Sequence, residues 1–333
     1  MKSKLDSAIF RPDLGAAAHE YIEDAATMGY IGLQLLPVFR TPVNSGGYPV
    51  ITKETLMKIQ ETARAPKSAY NRGDWVYERG TFTTAEEGWE EPIDDVEREL
   101  FDLEAPGEAD YIATRRAMNI IMRGLEKEIA GMLFNATNFS ANSITHEWDD
   151  GTNAVPITDV NTGKAAFRLQ CGMLPDTLTI AYSTFLDLLE CDQIIDRLKY
   201  TYPMIEMNSW QAQHLAAVFN IPRVLVGGAI YDSAAEGQTA SITDIWSNEY
   251  ALLSRSNASR DLREPCVGRT FLWTVDSPNM PVVEQYREEQ IRSDVFRVRQ
   301  YRGCQFIASR NKSGSIVSNI SQACGYLMDN ITT

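Results

Sequence analysis

Histidine and cysteine, the residues that most often hold transition metals in proteins, are scarce in this chain. It has three histidines and five cysteines in 333 residues, and no two cysteines stand in CxxC spacing. The sequence also lacks the GxxxxGK[ST] phosphate loop, the GxSxG turn of serine hydrolases and the HExxH helix of zinc proteases. These absences exclude the enzyme classes that carry such motifs, and the isolated cysteines are expected to be reduced thiols.

Long apolar runs and basic tails are missing as well. No run approaches the roughly 20 residues of a membrane span, and the first 15 residues carry two lysines but no apolar stretch of a secretory signal. A net charge of −14 at pH 7 disfavours nonspecific attraction to nucleic acid or to an anionic membrane. We therefore expect a globular protein that neither enters a membrane nor grips DNA tightly.

What the chain does have is an acidic stretch with few aliphatic residues. Twelve carboxylates and a single base, Arg98, lie between Glu86 and Asp110. Just upstream, residues 75–77 and 82–84 have strand character on either side of a turn predicted at Gly80. A flap of this composition cannot bury its own aromatic side chains, so we expect residues 60–105 to lie against another copy of the protein.

The clearest predicted element is a long helix at 108–134. Its apolar side chains recur with helical spacing. They are Tyr111, Met118, Met122, Leu125, Ile129 and Met132. Acidic Glu108 and Asp110 stand in the first turn, where they favour the helix dipole. At about 1.5 Å per residue the helix would span on the order of 40 Å, which predicts a rigid spine.

Strands and helices alternate over residues 175–280, which predicts a compact α/β layer. Buried strands are expected at 176–182 and 223–232, and helices at 183–198, opened by Ser183 as N-cap, and 209–220. A short strand is expected around Ala165–Leu169. After Pro281, residues 294–301 alternate apolar and charged side chains with period two, which is typical of a half-exposed strand.

Candidate chemistry is sparse. The VLVGGAIY stretch lacks the later glycine and the helix opening of a dinucleotide-binding loop. The carboxylates of Glu86–Glu97 could in principle serve as an acid/base pair or as calcium ligands, but no EF-hand spacing is present and a solvated charged face is the more common arrangement. We therefore predict no catalytic residue, no cofactor and no metal site.

The order of these parts resembles the tailed-bacteriophage major capsid protein, whose fold also occurs in herpesvirus capsid floors and encapsulin shells. Four stretches carry the resemblance: ARAPKSAYNRGDWVYERGTFTTAEEGWEEPIDDVERE for an extended loop, APGEADYIATRRAMNIIMRGLEKEIAGMLFN for a spine helix, WQAQHLAAVFNIPRVLVGGAIYDSAAEGQTASITDIW for an axial domain, and VEQYREEQIRSDVFRVRQYRGCQFIASRNKSGSIVSNI for closing strands. None is a catalytic signature, and the specificity lies in their joint order along nearly the whole chain.

The resemblance implies an α+β fold of the tailed-phage major capsid type. Its parts are expected to be an N-terminal arm with the first strands at 1–45 and an extended loop, the E-loop, at 46–105. A peripheral domain at 106–174 and 281–333 would contain the spine helix, and an axial domain would occupy 175–280.

The resemblance also implies a function. Such a chain would assemble with itself into pentamers and hexamers of an icosahedral head that encloses double-stranded DNA, in the virion and, during assembly, in the host cytoplasm. The short arm implies a separate scaffolding protein, with a portal and a decoration protein as further partners and no membrane contact. Two alternatives stay open: an encapsulin-like nanocompartment shell around a cargo enzyme, and a carboxylate-based hydrolase.

The candidate assembly residues are those that the flap and the helix would present to a neighbouring copy. Aromatic side chains would anchor on the neighbour, and carboxylates would pair with arginines of the neighbour's helix. The flap candidates are Arg72, Trp75, Tyr77, Arg79, Phe82, Glu86, Glu87, Trp89, Asp94 and Asp95, and the helix candidates are Arg115, Arg116 and Arg123.

Overall fold

A computed structural model describes the chain at residues 8–15, 18, 28–51, 57–73, 77–102, 107–201, 210–257, 259, 261–277, 281–308 and 324–332. These residues form two larger sheets, of six and five strands, and two small two-stranded sheets. Two large apolar clusters and one smaller one fill the interior. The mixed helix and sheet content agrees with the predicted α+β class.

The six-stranded sheet is built around one long central strand. Its members are β1 (Ile9–Phe10), β2 (Val38–Thr41), β5 (Ala85–Asp94), β12 (Gly268–Trp273), β13 (Val282–Glu288) and β14 (Ser293–Phe306). Residues 293–302 of β14 pair antiparallel with β5, residues 293–299 also pair with β13, and residues 302–306 pair with β12. The strand predicted from the alternation over 294–301 is confirmed, and it is the centre of the sheet.

The five-stranded sheet lies under four helices. Its strands, in spatial order, are β6 (Ala141–Ser143), β15 (Gly325–Asp329), β11 (Ala251–Ser254), β7 (Thr177–Ala181) and β8 (Arg223–Gly227). The helices are α4 (Pro156–Cys171), α5 (Tyr182–Glu190), α6 (Asp192–Thr201) and α7 (Ala212–Phe219). Every residue of β7 and β11 is buried, as expected for strands covered on both faces.

The two small sheets are hairpins. One pairs β3 (Ser45–Ile51) with β4 (Tyr77–Thr83), and the other pairs β9 (Ile230–Asp232) with β10 (Ile242–Asp244). The turn predicted at Gly80 is wrong. Gly80 lies in the middle of β4, opposite Tyr48, and the Tyr48 ring occupies the space that a Cβ at position 80 would need.

Three further helices complete the described fold: α1 (Gly32–Leu35), α2 (Asp95–Asp102) and the spine helix α3 (Glu108–Leu133). The spine prediction is confirmed to within one residue, and its apolar face is buried at Met118, Met122, Leu125 and Ile129. Its 26 residues span about 40 Å. Among the described residues, no helix combines the length and the hydropathy that a bilayer crossing requires.

Two local expectations are wrong for physical reasons. Ala165–Leu169 is not a strand but part of α4, which begins at Pro156 and buries Val160, Phe167 and Cys171 with helical spacing. The helix expected over 183–198 is divided into α5 and α6, because Cys191 adopts extended backbone angles. Ala181, rather than Ser183, precedes the first turn of α5.

A buried carboxylate joins the spine to the N-terminal part of the chain. Glu126 of α3 is 2% exposed and accepts hydrogen bonds from the backbone N–H groups of Ile31 and Gly32, each at 2.8 Å, and from Trp246 Nε1 at 2.7 Å. The first two bonds satisfy donors at the start of α1. Burial raises the pKa of Glu126, and the three hydrogen bonds oppose that shift without cancelling it.

A single residue, Thr84, separates β4 from β5. Its backbone N–H donates to Asn44 O at 3.0 Å, and its hydroxyl donates to Asn44 Oδ1 at 2.6 Å. The root of the β3–β4 hairpin is therefore fixed to the start of the strand that enters the six-stranded sheet.

Candidate assembly surfaces

The acidic segment is a sheet strand and not a free flap. Residues 85–94 form β5 and pair with β14 of the same chain over ten consecutive positions, from Ala85 opposite Arg302 to Asp94 opposite Ser293. One edge of β5 thus finds its hydrogen-bond partners within the chain, whereas no other described strand pairs with its second edge. Contact of residues 60–105 with a neighbour stays a prediction.

On one face of the sheet, the carboxylates of β5 and β13 meet arginines of β14. Arg297 Nε lies 2.6 Å from Glu90 Oε1, and Arg299 Nη2 lies 2.9 Å from Glu284 Oε1. The Tyr301 hydroxyl donates to Glu86 Oε2 at 2.8 Å. The hydrogen bond from Arg299 lowers the pKa of Glu284. Charges alternate across this face and neutralise one another.

The opposite face of β14 turns towards the spine helix. Arg302 is 2% exposed and forms ion pairs with Glu87 of β5 and, at 2.6 Å, with Glu128 of α3. Burial raises the pKa of Glu87, although the charge of Arg302 opposes the shift. Glu87 and Glu128 are themselves 40% and 39% exposed, so one buried guanidinium with two partly solvated carboxylates ties β5, β14 and α3 together.

The end of β5 is also held within the chain. Asp94 Oδ1 accepts a hydrogen bond from the backbone N–H of Val96 at the start of α2. Asp95 pairs with Arg287 of β13 at 2.6 Å, and the hydrogen bond from Arg287 lowers the pKa of Asp95. These contacts orient α2 on the sheet.

The spine arginines differ from one another in their surroundings. Arg116 pairs with Glu91 of its own chain at 3.1 Å and stays 58% exposed. The Arg115 guanidinium lies 5.6 Å from the Tyr111 ring centre. Arg123 Nε is buried and donates no hydrogen bond to the described residues. Their contacts with a second copy stay a prediction.

The aromatic candidates divide into buried and exposed residues. Phe82 is buried, and its ring stacks on Phe271 with centroids 4.1 Å apart in a small apolar cluster with Tyr48. The expectation that Phe82 anchors on a neighbour is therefore wrong. Trp89 is 45% exposed, and its Nε1 donates to Glu91. Trp75 lies outside the described residues.

The far end of the hairpin, residues 57–73, which we call the tip, has little cover beyond the contact of the Met57 side chain with Gly172 at the end of α4. Every one of its residues is exposed, including Ile59 and Tyr70. Arg72 lies in the tip, whereas Arg79 and Tyr77 belong to β4, where Arg79 crosses Gly47 on the paired strand. The tip is thus the longest exposed stretch among the described residues of the flap, whereas the acidic strand is paired along one edge.

Replacing Phe82 with alanine is expected to destabilise the hairpin root by about 3 kcal/mol, because it removes a stacked ring from a closed apolar cluster. Thermal unfolding of the purified chain measures the effect. Trp89→Ala is the matched control and should change stability by less than about 1 kcal/mol, since nearly half of that side chain is exposed. Equal effects of the two changes would contradict this division.

The sequence contains a signal for the sheet pairing that can be recognised in retrospect. Arg297 and Arg299 are two residues apart, and Glu86 and Glu90 of β5 are four residues apart, so each pair of side chains lies on one face of its strand. Period-two complementarity of this kind predicts neighbouring strands. Nothing comparable marks Glu126, because a lone glutamate on a helix is usually solvated.

The chain matches no described family profile. The major capsid protein of Burkholderia phage BcepMu is 27% identical over 284 residues, which cover 80% of this chain and 86% of that relative.

Solved structures cover nearly the whole chain. A phage-related protein from Bordetella bronchiseptica RB50 superposes with a TM-score of 0.69 at 20% identity, covering 98% of this chain and 99% of its own. A protein assigned as a prophage capsid protein from E. coli CFT073 gives 0.54 at 10% identity, over 97% and 99%. The virus-like particle of Pyrococcus furiosus gives 0.53 at 12% identity, over 96% and 99%.

These structural similarities show the fold class of the chain, because its α+β architecture is that of capsid-shell proteins. Within that class the chain is similar to the major capsid protein of a tailed phage, in agreement with its sequence resemblance.

Proposed function

We propose that the chain builds the icosahedral head of a tailed phage and that the head encloses double-stranded DNA. The observation that carries the proposal is the tip, which extends from a fixed hairpin root with all its residues exposed. Exposed apolar side chains on such a projection indicate a surface that another copy covers. When the same contact is repeated between all subunits of a closed symmetric shell, many weak contacts together make the shell stable.

We further propose the division of labour that the resemblance implied. The E-loop region within 46–105 would contact a neighbour, the peripheral domain at 106–174 and 281–333 would contain the spine, and the axial domain at 175–280 would gather around the symmetry axes of pentamers and hexamers. A separate scaffolding protein, a portal and a decoration protein would be the further partners, and assembly would take place in the host cytoplasm.

The acidic charge supports the DNA proposal. A shell that is filled by forcing in a polyanion gains from walls that do not hold the polymer, and a net charge of −14 suits this. The hydrolase alternative loses support, because Glu86, Glu87, Glu90 and Glu91 are engaged with side chains of the same chain. A carboxylate tied to an arginine is a poor general acid or base at neutral pH.

Purification of the full chain followed by light scattering and electron microscopy tests the proposal. We expect closed particles of megadalton mass, or pentamers and hexamers that close into shells when conditions change. A monodisperse monomer under all conditions would contradict the shell function.

The contents of the particles test the finer claim. Particles isolated from infected or induced cells should contain nuclease-protected double-stranded DNA. A cargo protein in place of DNA would instead support the nanocompartment alternative.

A further inference from the structure

We propose that the tip, residues 57–73, docks on the exposed face of α2 in a second copy, through basic groups of the tip and carboxylates of the helix around an apolar centre. The inference rests on the proposed shell function, because it names the surface that receives the hairpin between copies. It assigns one partner surface and the residues that form it.

The tip has a charge opposite to that of the rest of the protein. It contains four basic residues, Lys58, Arg64, Lys67 and Arg72, and a single acid, Glu61, in a chain whose net charge is −14. Ile59 is 96% exposed, and the Tyr70 ring lies 4.6 Å beneath the Arg64 guanidinium. A basic segment with exposed apolar side chains is complementary to a surface that is both acidic and apolar.

Helix α2 presents such a surface. Val96 is 72% exposed and Leu100 is 63% exposed, and their spacing of four residues places them on one side of the helix. Glu97 and Glu99 flank them, are exposed, and form no ion pair with any residue in the described part of the chain. The face therefore combines an apolar centre with two free carboxylates.

The other face of α2 is fixed, so this surface is formed before any partner arrives. Arg98 Nη2 lies 3.0 Å from Asp110 on the spine and 2.9 Å from Asp294 on β14. Asp95 holds the beginning of the helix to Arg287. A preformed surface loses little conformational entropy when a partner binds.

The tip that docks must come from another copy. Residues 74–76, seven residues of β4, Thr84 and ten residues of β5 separate the tip from α2 along the same chain. At about 3.3 Å per residue, the two strands and Thr84 alone make on the order of 60 Å of extended backbone. The stacking of Phe82 and the hydrogen bonds of Thr84 hold the hairpin root, so the hairpin cannot fold back without losing them.

The β9–β10 hairpin offers a rival surface. Ile230 and Ile242 are exposed there, with acidic Glu236 and Asp244 nearby in the sequence. Like α2, the hairpin is anchored on the spine, here through Lys127, whose ammonium lies 3.9 Å from the centre of the Tyr231 ring. It therefore provides a matched control of similar composition on the same chain.

Charge exchange between the two surfaces tests the proposal. Either Lys58→Glu with Arg72→Glu, or Glu97→Lys with Glu99→Lys, should lower the fraction of chain in particles at least about tenfold, since a weakened contact is repeated at every interface. The four changes together should restore assembly to within about threefold of the original chain. The control Glu236→Lys with Asp244→Lys should leave assembly unchanged. Failure of the combined variant to recover would overturn the proposal.

A second measurement does not depend on assembly efficiency. Tyr70→Cys with Leu100→Cys should give covalent dimers and a ladder of longer species on a denaturing gel after treatment with a bismaleimide, because the five native thiols are buried. Tyr70→Cys with Ile242→Cys should give none. A ladder that forms only with Tyr70→Cys and Ile242→Cys would show that the tip docks on the β9–β10 hairpin, and would overturn the proposal.

The two levels of the argument fail differently. If the original chain forms no particles, the shell function itself is wrong. If it forms particles while the Glu97→Lys and Glu99→Lys variant assembles equally well and the first cysteine pair gives no ladder, only the docking of the tip on α2 is wrong.

Discussion

Replacing Arg302 with alanine is expected to lower the free energy of unfolding by about 2–3 kcal/mol, because two charge-assisted hydrogen bonds of a buried guanidinium are lost while the carboxylates left behind stay partly solvated. The change removes a buried cation and leaves Glu87 and Glu128 facing each other without compensation. The two carboxylates are also the links from β5 and α3 to the central strand, so the loss weakens three elements at once. Urea unfolding of the purified chain measures the difference.

The control for Arg302 is an ion pair of the same chemistry at the surface. Arg116 is 58% exposed and pairs with Glu91, so Arg116→Ala should change stability by less than about 1 kcal/mol. A triple change of Arg302→Met, Glu87→Gln and Glu128→Gln should recover much of the loss, because no charge is then left buried. Similar values for Arg302→Ala and Arg116→Ala would contradict the assignment.

The second large effect is expected at Glu126. Glu126→Ala should cost about 3–5 kcal/mol, because three buried donors, the N–H groups of Ile31 and Gly32 and the indole N–H of Trp246, lose their acceptor. The exposed Glu236→Ala is the control and should be close to neutral. Thermal unfolding of both variants under identical conditions decides the matter, and a neutral Glu126→Ala would refute it.

The same residue predicts a direction of pH dependence. Because burial raises the pKa of Glu126 above its ordinary value of 4.5, the folded chain binds more protons at this site than the unfolded chain. Its contribution to stability is therefore complete below about pH 4.5 and declines as the pH rises through the raised pKa. The free energy of unfolding of the original chain, minus that of the Glu126→Gln variant, should fall from pH 4.5 to pH 8. A value of this difference that rises with pH would contradict the prediction.

The sequence predicted the regular elements best where one periodicity extended over many residues. The spine helix and the alternating strand at 294–301 were both recognised, because each has a single buried face. The strand expected at Ala165–Leu169 was wrong for the opposite reason, since a run of five residues with four apolar side chains fits a strand and a helix equally well. Gly80 failed because a glycine can serve a close ring contact as well as a turn.

The candidate site was predicted only in part, because pairing between distant segments decides which side chains are free. Twelve carboxylates in one stretch indicate a charged surface, yet the strand that neutralises several of them lies about 200 residues further along the chain. Once β5 is paired with β14 and Phe82 is stacked on Phe271 of β12, the exposed apolar side chains of the flap are confined to the tip, to Trp89 and to the outer face of α2. No local pattern contains that information.

The single-residue link at Thr84 has a mechanical consequence. A force applied to the tip along β4 acts directly on β5, because only Thr84 lies between the two strands. The ten positions at which β5 pairs with β14 would then be loaded together in shear, and would not open one after another. The force is thereby distributed over the central strand β14 and, through the ion pair of Arg302 with Glu128, over the spine helix α3. In a shell that expands or is under internal pressure, the six-stranded sheet and the spine helix would therefore bear the load that reaches each subunit through its hairpin.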